Sequence, residues 1–150
     1  MKILLATDGS KHSSAAIHMV SNFRLESGDE IRAISVIDVS IPITFDTYAG
    51  YIPDTTEIKK VAQENAENTL KKTEQALRAK LNDESVRIET EILSGSPQSE
   101  IVEMAEEMKA DVIIVGSRGH NRWERLLLGS VSSSVVNHAP CSVFIVRTSG

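Results

Sequence analysis

The chain has little of what characterises secreted or membrane-spanning proteins. Its 150 residues contain one cysteine, Cys141, which excludes an internal disulfide, and no feature indicates an oxidising compartment. No apolar run approaches the roughly 20 residues that a membrane-spanning helix needs. The opening MKILLATDGS is stopped by Asp8, so it is too short for a secretory signal and predicts a first strand instead. We therefore expect a cytoplasmic protein with no membrane partner.

Positive charge is also scarce in this sequence. Lysine and arginine total 16 against 21 aspartates and glutamates, which gives a formal net charge of −5. Proteins that hold DNA or RNA through the phosphates normally present a basic surface, so we expect no nucleic-acid partner. Residues 1–150 contain no repeat, low-complexity tract or linker, which predicts a single domain with its own core.

Apolar patterns typical of strands and of helices alternate along the chain. Continuous apolar runs predict strands covered on both faces, and apolar residues at helical spacing predict the helices between them. Ser10 and Ser96 are predicted helix caps, Gly28 is expected to end the first helix, and Asp54 with Glu57 is a capping pair for a long second helix. The predicted strands are 3–6, 31–37, 86–92, 111–115 and 142–146, and the last helix covers about 130–137.

This alternation predicts an α/β fold with a five-stranded parallel sheet and helices on both faces. Strands one and four have unbroken apolar runs and are expected in the centre, whereas strand three alternates with charge and is expected at an edge. The strand order 3-2-1-4-5 satisfies both expectations. The winding then reverses between strands one and four, and ligands bind at the carboxyl ends of strands at such a point. Asp8 and Gly116 end these two strands.

The most informative motif is a glycine spacing near the carboxyl terminus. Gly116 ends strand four, Gly119 follows after two intervening residues, and Gly129 follows after nine more, at the start of the last helix. Glycines let backbone N–H groups approach an anion, and a helix start offers unpaired N–H donors. We expect the N–H groups of Ser130, Val131 and Ser132 to face phosphates, with hydroxyls of the two serines adding hydrogen bonds. The alternative is a loop with turn glycines.

Other residues near this motif have two interpretations each. Asp8 could accept hydrogen bonds from a ribose or help hold Mg²⁺, or it could cap the following turn. Arg118, Arg122 and Arg125 could neutralise phosphates or be a solvated loop. The P-loop pattern and the dinucleotide glycine fingerprint are both absent. No His, Cys, Asp and Glu residues have metal-ligand spacing, and the serines after Gly129 lack an evident base for a hydrolase.

One segment, 38–53, is irregular and contains both tyrosines of the chain. It leaves the carboxyl end of strand two, beside the expected ligand site. The segment could be a lid, a wall for a base or a partner contact, and the alternative is a packed surface loop.

Together these residues resemble the universal stress protein family, in its ATP-binding branch. The resemblance covers the whole chain, from ILLATDGS through ISVID to VIIVGSRG and LLLGSVSSSVVNHAPCSVFIV. It implies a Rossmann-like three-layer fold and a homodimer formed through the last strand, 142–147. It also implies that Asp8 meets the ribose near the backbone of Ala6 and Thr7, and that the backbone of Val36 contacts adenine. The implied phosphate-binding residues are Gly116, Arg118, Gly119, Gly129, Ser130, Val131 and Ser132.

Two functions of different classes follow from these observations. The first is a binding module that senses an adenine nucleotide (ATP, ADP or AMP) in a stress response or in signalling, because a phosphate cradle is present without an evident catalytic base. The second is a slow ATPase or phosphotransferase that uses Mg²⁺ near Asp8. A structural domain with an empty site is a third alternative, and cyclic AMP stays open as a ligand.

Overall fold

A computed structural model describes residues 1–39, 55–117 and 128–148. Its strands form one five-stranded parallel sheet in the order β3-β2-β1-β4-β5, which confirms the predicted α/β fold and strand order. The elements are β1 (Lys2–Ala6), α1 (Lys11–Val20), β2 (Glu30–Asp38), α2 (Thr55–Leu81), β3 (Arg87–Gly95), α3 (Pro97–Met108), β4 (Val112–Gly116), α4 (Ser130–His138) and β5 (Ser142–Val146).

The central strands contribute to two core layers, one on each face of the sheet. In β1, Ile3 and Leu5 pack with α1 and α2, whereas Leu4 between them packs with α3 and α4. Successive side chains of a strand point to opposite faces, so a strand covered on both faces must be apolar throughout. This explains why β1 and β4 have unbroken apolar runs.

One predicted helix end and one predicted capping hydrogen bond were wrong. Helix α1 ends at Val20, with Ser21 as its carboxyl-terminal cap, so Gly28 does not end it. Gly28 instead has φ +91° in the turn before β2, a conformation that glycine adopts without steric strain. The predicted start of α3 is confirmed, with Ser96 as its N-cap residue and Pro97 first in the helix, but the Ser96 side chain makes no capping hydrogen bond. The Asp54 half of the predicted capping pair lies outside the described residues.

The strands end at different heights along the carboxyl edge of the sheet. Strand β1 pairs with β2 as far as Ala6 and Ile34, whereas β2 continues alongside β3 to Asp38. The part of β2 from Ser35 to Asp38 therefore extends past the end of β1. We call the space beside the end of β1 that this part of β2 borders the step. None of the helices in the described part of the chain is long and apolar enough to cross a membrane.

Candidate functional site

The carboxyl ends of β1 and β4 lie side by side, as predicted. Ala6, the half-buried last residue of β1, pairs with Val115, and Gly116 follows on β4. The segments that begin at Thr7 and at Ser117 therefore leave the sheet from neighbouring positions. This is the point where the strand order reverses, and the two segments with candidate site residues meet there.

The loop after β1 is held by one hydrogen bond to β2 and by others within the loop. The buried Thr7 donates its N–H to Ile34 O of β2 at 2.9 Å, and its Oγ1 accepts from the N–H of Gly9 at 3.3 Å. Asp8 is exposed, and its Oδ1 accepts from the N–H of Ser10 at 2.9 Å. Asp8 therefore caps the turn, which was one of its two predicted roles, and it does so as an exposed residue at the carboxyl end of β1.

Ser10 closes this loop as the cap of α1. Its Oγ accepts from the N–H of Ser13 at 3.3 Å, as the sequence predicted. The hydroxyls of Ser13 and Ser14 donate back to Ser10 O at 2.9 and 3.1 Å. Helix α1 therefore begins at a fixed place on the carboxyl edge.

Gly116 lies against the first turn of α1. A Cβ at this position would lie 2.8 Å from the carbonyl carbon of His12 and 3.0 Å from the N atom of Ser13. Backbone atoms cannot move aside as a side chain can, so only glycine lets α1 start this close to β4. Helix–strand packing is thus a sufficient reason for this glycine, in addition to the close ligand approach that the sequence predicted.

Helix α4 begins where the chain returns to the end of β4. Gly129, its N-cap, donates its N–H to Ser117 O at 3.0 Å. The hydroxyl of the buried Ser132 lies 3.2 Å from that same oxygen and 3.0 Å from Gly129 O. The Ser132 hydroxyl therefore faces protein carbonyls, which argues against its predicted hydrogen bond to a phosphate.

The backbone N–H groups at the start of α4 fit the predicted anion site better than the hydroxyls do. The intrahelical ladder begins with Ser133 N–H donating to Gly129 O at 2.9 Å. The N–H groups of Ser130, Val131 and Ser132 precede that bond, at the positive end of the helix dipole. Ser130 is exposed, whereas Val131 packs against the core beneath α3 and α4.

Val36 lies on the part of β2 that extends beyond β1. The carbonyl of Ile34 points toward β1, because it accepts the N–H of Thr7. Residues two positions apart in a strand direct their N–H and C=O groups to the same side, so those of Val36 also point toward the β1 side of the strand. Strand β1 ends before this height, so the N–H and C=O of Val36 face the step.

Several predicted site residues lie outside the described part of the chain. They are Arg118, Gly119, Arg122 and Arg125, together with 40–53 of the irregular loop. Among the described residues, no three His, Cys, Asp or Glu side chains are grouped so that they could hold a metal ion.

Among the residues that the structure describes, the shifted pKa values belong to groups near the amino ends of the strands. Hydrogen bonding to the amine of Met1 lowers the pKa of Asp29, which lies before β2 at the opposite edge. Hydrogen bonding from Ser85 lowers the pKa of Asp83, and burial raises the pKa of the Cys141 thiol before β5. These groups are therefore not part of the candidate site.

Three residues that contact this site were not predicted from the sequence. Ser117 accepts from Gly129, His12 packs on Gly116, and Thr69 of α2 lies against Gly9. Each acts through a contact between distant parts of the chain, and local patterns carry no signal for such contacts. The positive φ of Gly9, +77°, is the one feature that the sequence hints at, through the Asp-Gly pair after β1.

Comparison with known proteins connects this geometry to a family. A sequence model of the universal stress protein family matches residues 1–147. The chain belongs to the universal stress protein family. It is 37% identical over 147 residues to universal stress protein MJ0531 of Methanocaldococcus jannaschii, covering 97% of this chain and 81% of that one. A putative universal stress protein of Staphylococcus aureus (strain USA300) is also 37% identical, with 97% and 83% covered.

Solved structures share the fold of this chain. Protein MJ0577 superposes with a TM-score of 0.81 at 29% identity, over 99% of this chain and 96% of that one. The universal stress protein UspA from Lactobacillus plantarum gives 0.77 at 26%, over 98% and 97%. A family member from Arabidopsis thaliana with AMP bound gives 0.67 at 20%, over 100% and 93%, and at that identity the likeness concerns the fold.

Proposed function

We propose that this chain binds an adenine nucleotide (ATP, ADP or AMP) at the carboxyl ends of β1 and β4 and acts as a nucleotide-sensing module in a stress response or in signalling. The observation that carries the proposal is the meeting of two segments there. One has the carboxylate of an exposed aspartate, and the other has a helix start with N–H groups outside the helical ladder. A ribose and a phosphate chain need these two kinds of group.

The nucleoside half would lie between β1 and β2. In this proposal Asp8 accepts a hydrogen bond from a ribose hydroxyl, with the backbone of Ala6 and Thr7 beside it. The peptide group of Val36 faces the step, where it offers one donor and one acceptor to the edge of a base. The adenine edge carries a matching acceptor nitrogen and amino group. The strand pairing supports this placement, because β2 extends beyond Ala6, the last residue of β1 that pairs with it.

The phosphates would lie at the start of α4. Gly129 has φ −60° and ψ 156°, a conformation open to any residue, so the backbone itself does not require glycine there. A need for space above the helix start explains the glycine, because a side chain there would obstruct an anion approaching the N–H groups of Ser130 and Val131. Gly116, Arg118, Gly119 and Ser132 complete the proposed phosphate set, with Ser132 acting through its N–H.

Valine at two positions tests this placement. Gly129→Val should raise the Kd for Mg-ATP at least about tenfold, because it removes charge-assisted hydrogen bonds to the phosphates. Ser134→Val, one turn along the same helix, puts the same side chain outside the proposed site and should keep the wild-type Kd. Titration calorimetry gives both values, and circular dichroism checks the fold. Equal Kd values for the two variants would show that the phosphates bind elsewhere.

A slow Mg-dependent ATPase is the enzymatic alternative. Nucleotide with Mg²⁺ near Asp8 would supply part of the machinery, but a positioned base is not evident among the described residues. Sustained phosphate release that Asp8→Asn abolishes, with ATP still bound, would favour the ATPase over the sensing module.

We further propose that two chains pair through β5 to form a homodimer, and that the protein works in the cytoplasm. Strand β5 is an edge of the sheet, and unpaired edges tend to pair with other strands. Val143 and Ile145 are half-buried on one face, and Phe144 is 45% exposed on the other. A partner strand would cover both faces.

A further inference from the structure

Helix α2 approaches the loop after β1 at Thr69. From Ala66 onward the helix packs on the core of the sheet, burying Leu70 and Leu77. Thr69 is half-buried beside that apolar stripe and extends toward the loop after β1. A Cβ built on Gly9 of that loop would have three Thr69 atoms as its nearest neighbours, Oγ1 at 3.0 Å, Cγ2 at 3.5 Å and Cβ at 3.9 Å. Thr69 thus fills the space that a side chain on Gly9 would need.

Gly9 is the residue at which the loop that contains Asp8 turns. Its φ of +77° turns the chain between Asp8 and the cap of α1 at Ser10. The N–H of Gly9 donates to Thr7 Oγ1, and the N–H of Ser10 donates to Asp8 Oδ1. These bonds fix the loop relative to its own neighbours. Thr69 belongs to a different element, the long helix α2, and occupies the space beside Gly9.

We propose that Thr69 is a positioning residue that holds Gly9, and through it the Asp8 carboxylate, at the height where a ribose hydroxyl can donate to it. The inference rests on the proposed nucleotide site. This role depends on shape, since Thr69 Oγ1 and Cγ2 both border the space that a Cβ of Gly9 would occupy. A side chain of the same shape should therefore replace threonine, whereas a smaller side chain should let the loop move.

Discrimination between ATP and its 2′- and 3′-deoxy forms tests this role. Wild type should bind ATP at least about tenfold more tightly than one of the deoxy forms, because a carboxylate hydrogen bond to the missing hydroxyl is lost. Thr69→Ala should reduce that ratio to about threefold or less, since a displacement of the order of an ångström degrades such a bond. Thr69→Val keeps both branches and should keep the wild-type ratio. Titration calorimetry with the three nucleotides measures all three proteins.

Amide hydrogen exchange gives a readout that needs no nucleotide. Thr69→Ala should speed exchange at Gly9 and Ser10, whose N–H groups donate within the loop, while Thr69→Val should match wild type. The amides of α3, which contacts the other face of the sheet, should be unchanged in both variants. A general loss of stability would raise exchange there too, and the comparison separates the two effects.

The inference and the proposed site can fail separately. A Thr69→Ala protein with the wild-type ratio and wild-type exchange at Gly9 and Ser10 would overturn the inference and leave the nucleotide site intact. A collapse of the ratio in Thr69→Val as well would show that the hydroxyl acts by itself and would also overturn it. A wild-type protein that binds neither ATP nor its deoxy forms would refute the proposed function, and the inference would fall with it.

Discussion

Gly116→Ala should destabilise the fold through a contact that the structure identifies. The added Cβ would lie 2.8 Å from the carbonyl carbon of His12 and 3.0 Å from Ser13 N, both in the backbone of α1. Forcing an extra carbon into a packed region costs about 1–3 kcal/mol. Replacing glycine also restricts the unfolded chain, which offsets about 0.4–1 kcal/mol. With the middle of each range, the net loss in free energy of unfolding is about 1–2 kcal/mol.

Gly95→Ala is the matched control, because its contact is shorter but yields more easily. A Cβ there would crowd only the Glu100 side chain, at Oε1, at Cδ (2.8 Å) and at Cγ (3.0 Å), and that side chain can rotate away. Its free energy of unfolding should stay within about 0.5 kcal/mol of wild type, or rise slightly.

Urea unfolding followed by circular dichroism measures both variants, and unchanged m-values show that only stability has changed. A loss of 1–2 kcal/mol corresponds to a fall in Tm of about 2–8 °C for a domain of this size. A Gly116→Ala protein as stable as wild type would contradict the close packing of the α1 backbone on Gly116. A Gly95→Ala protein less stable than Gly116→Ala would contradict it as well.

Two further predictions concern the edge of the sheet and the acid limit of stability. If β5 forms the dimer, Val143→Lys should give monomers in light scattering. The control, Thr90→Lys on the opposite edge strand β3, should leave the dimer intact. A dimeric Val143→Lys protein would rule out pairing through β5. Hydrogen bonds from the side chain and N–H of Ser85 hold the pKa of Asp83 below its ordinary value of 3.8, so the stability that they add is present above that pH and is lost as pH falls through the folded-state pKa. Asp83→Asn should therefore lose less stability than wild type between pH 6 and pH 3 in urea unfolding, and an identical loss would show that this pair does not contribute.

Strand order could be predicted from the sequence because burial leaves a mark on composition. Strand β1 is covered on both faces and is apolar throughout, whereas β3 at the edge alternates with charge. One of those charges, Glu89, pairs at 2.8 Å with Arg32 on the neighbouring strand β2. Burial on one or both faces thus restricts the residues that a strand can carry. The order of the strands can therefore be inferred from the apolar pattern of each strand.

Site details could not be predicted as far, because they depend on contacts across the fold. The sequence shows that Ser132 follows a glycine at a helix start, and that pattern suits both a phosphate contact and a bond to backbone. Only the position of Ser117 O, 3.2 Å from the Ser132 hydroxyl, decides for the backbone. The packing of His12 on Gly116 and of Thr69 on Gly9 has the same origin.

The carboxyl-terminal end of α1 was also beyond local prediction. The segment after Val20 contains residues that a helix tolerates, yet Phe23 and Leu25 pack on the core from a non-helical path. The side chain of Asp29 accepts the N–H of Glu26 at 2.8 Å and closes this turn. A tertiary constraint therefore ends α1 eight residues before Gly28, the residue that the sequence indicated.

The most direct test of the central claim is native mass spectrometry of the freshly purified protein, with and without added Mg-ATP. We predict one adenine nucleotide for each chain, and the bound mass will show whether ATP stays intact. A chain that stays free of nucleotide in excess Mg-ATP would contradict the account, because the start of α4 and the loop of Asp8 would then be turns without a ligand.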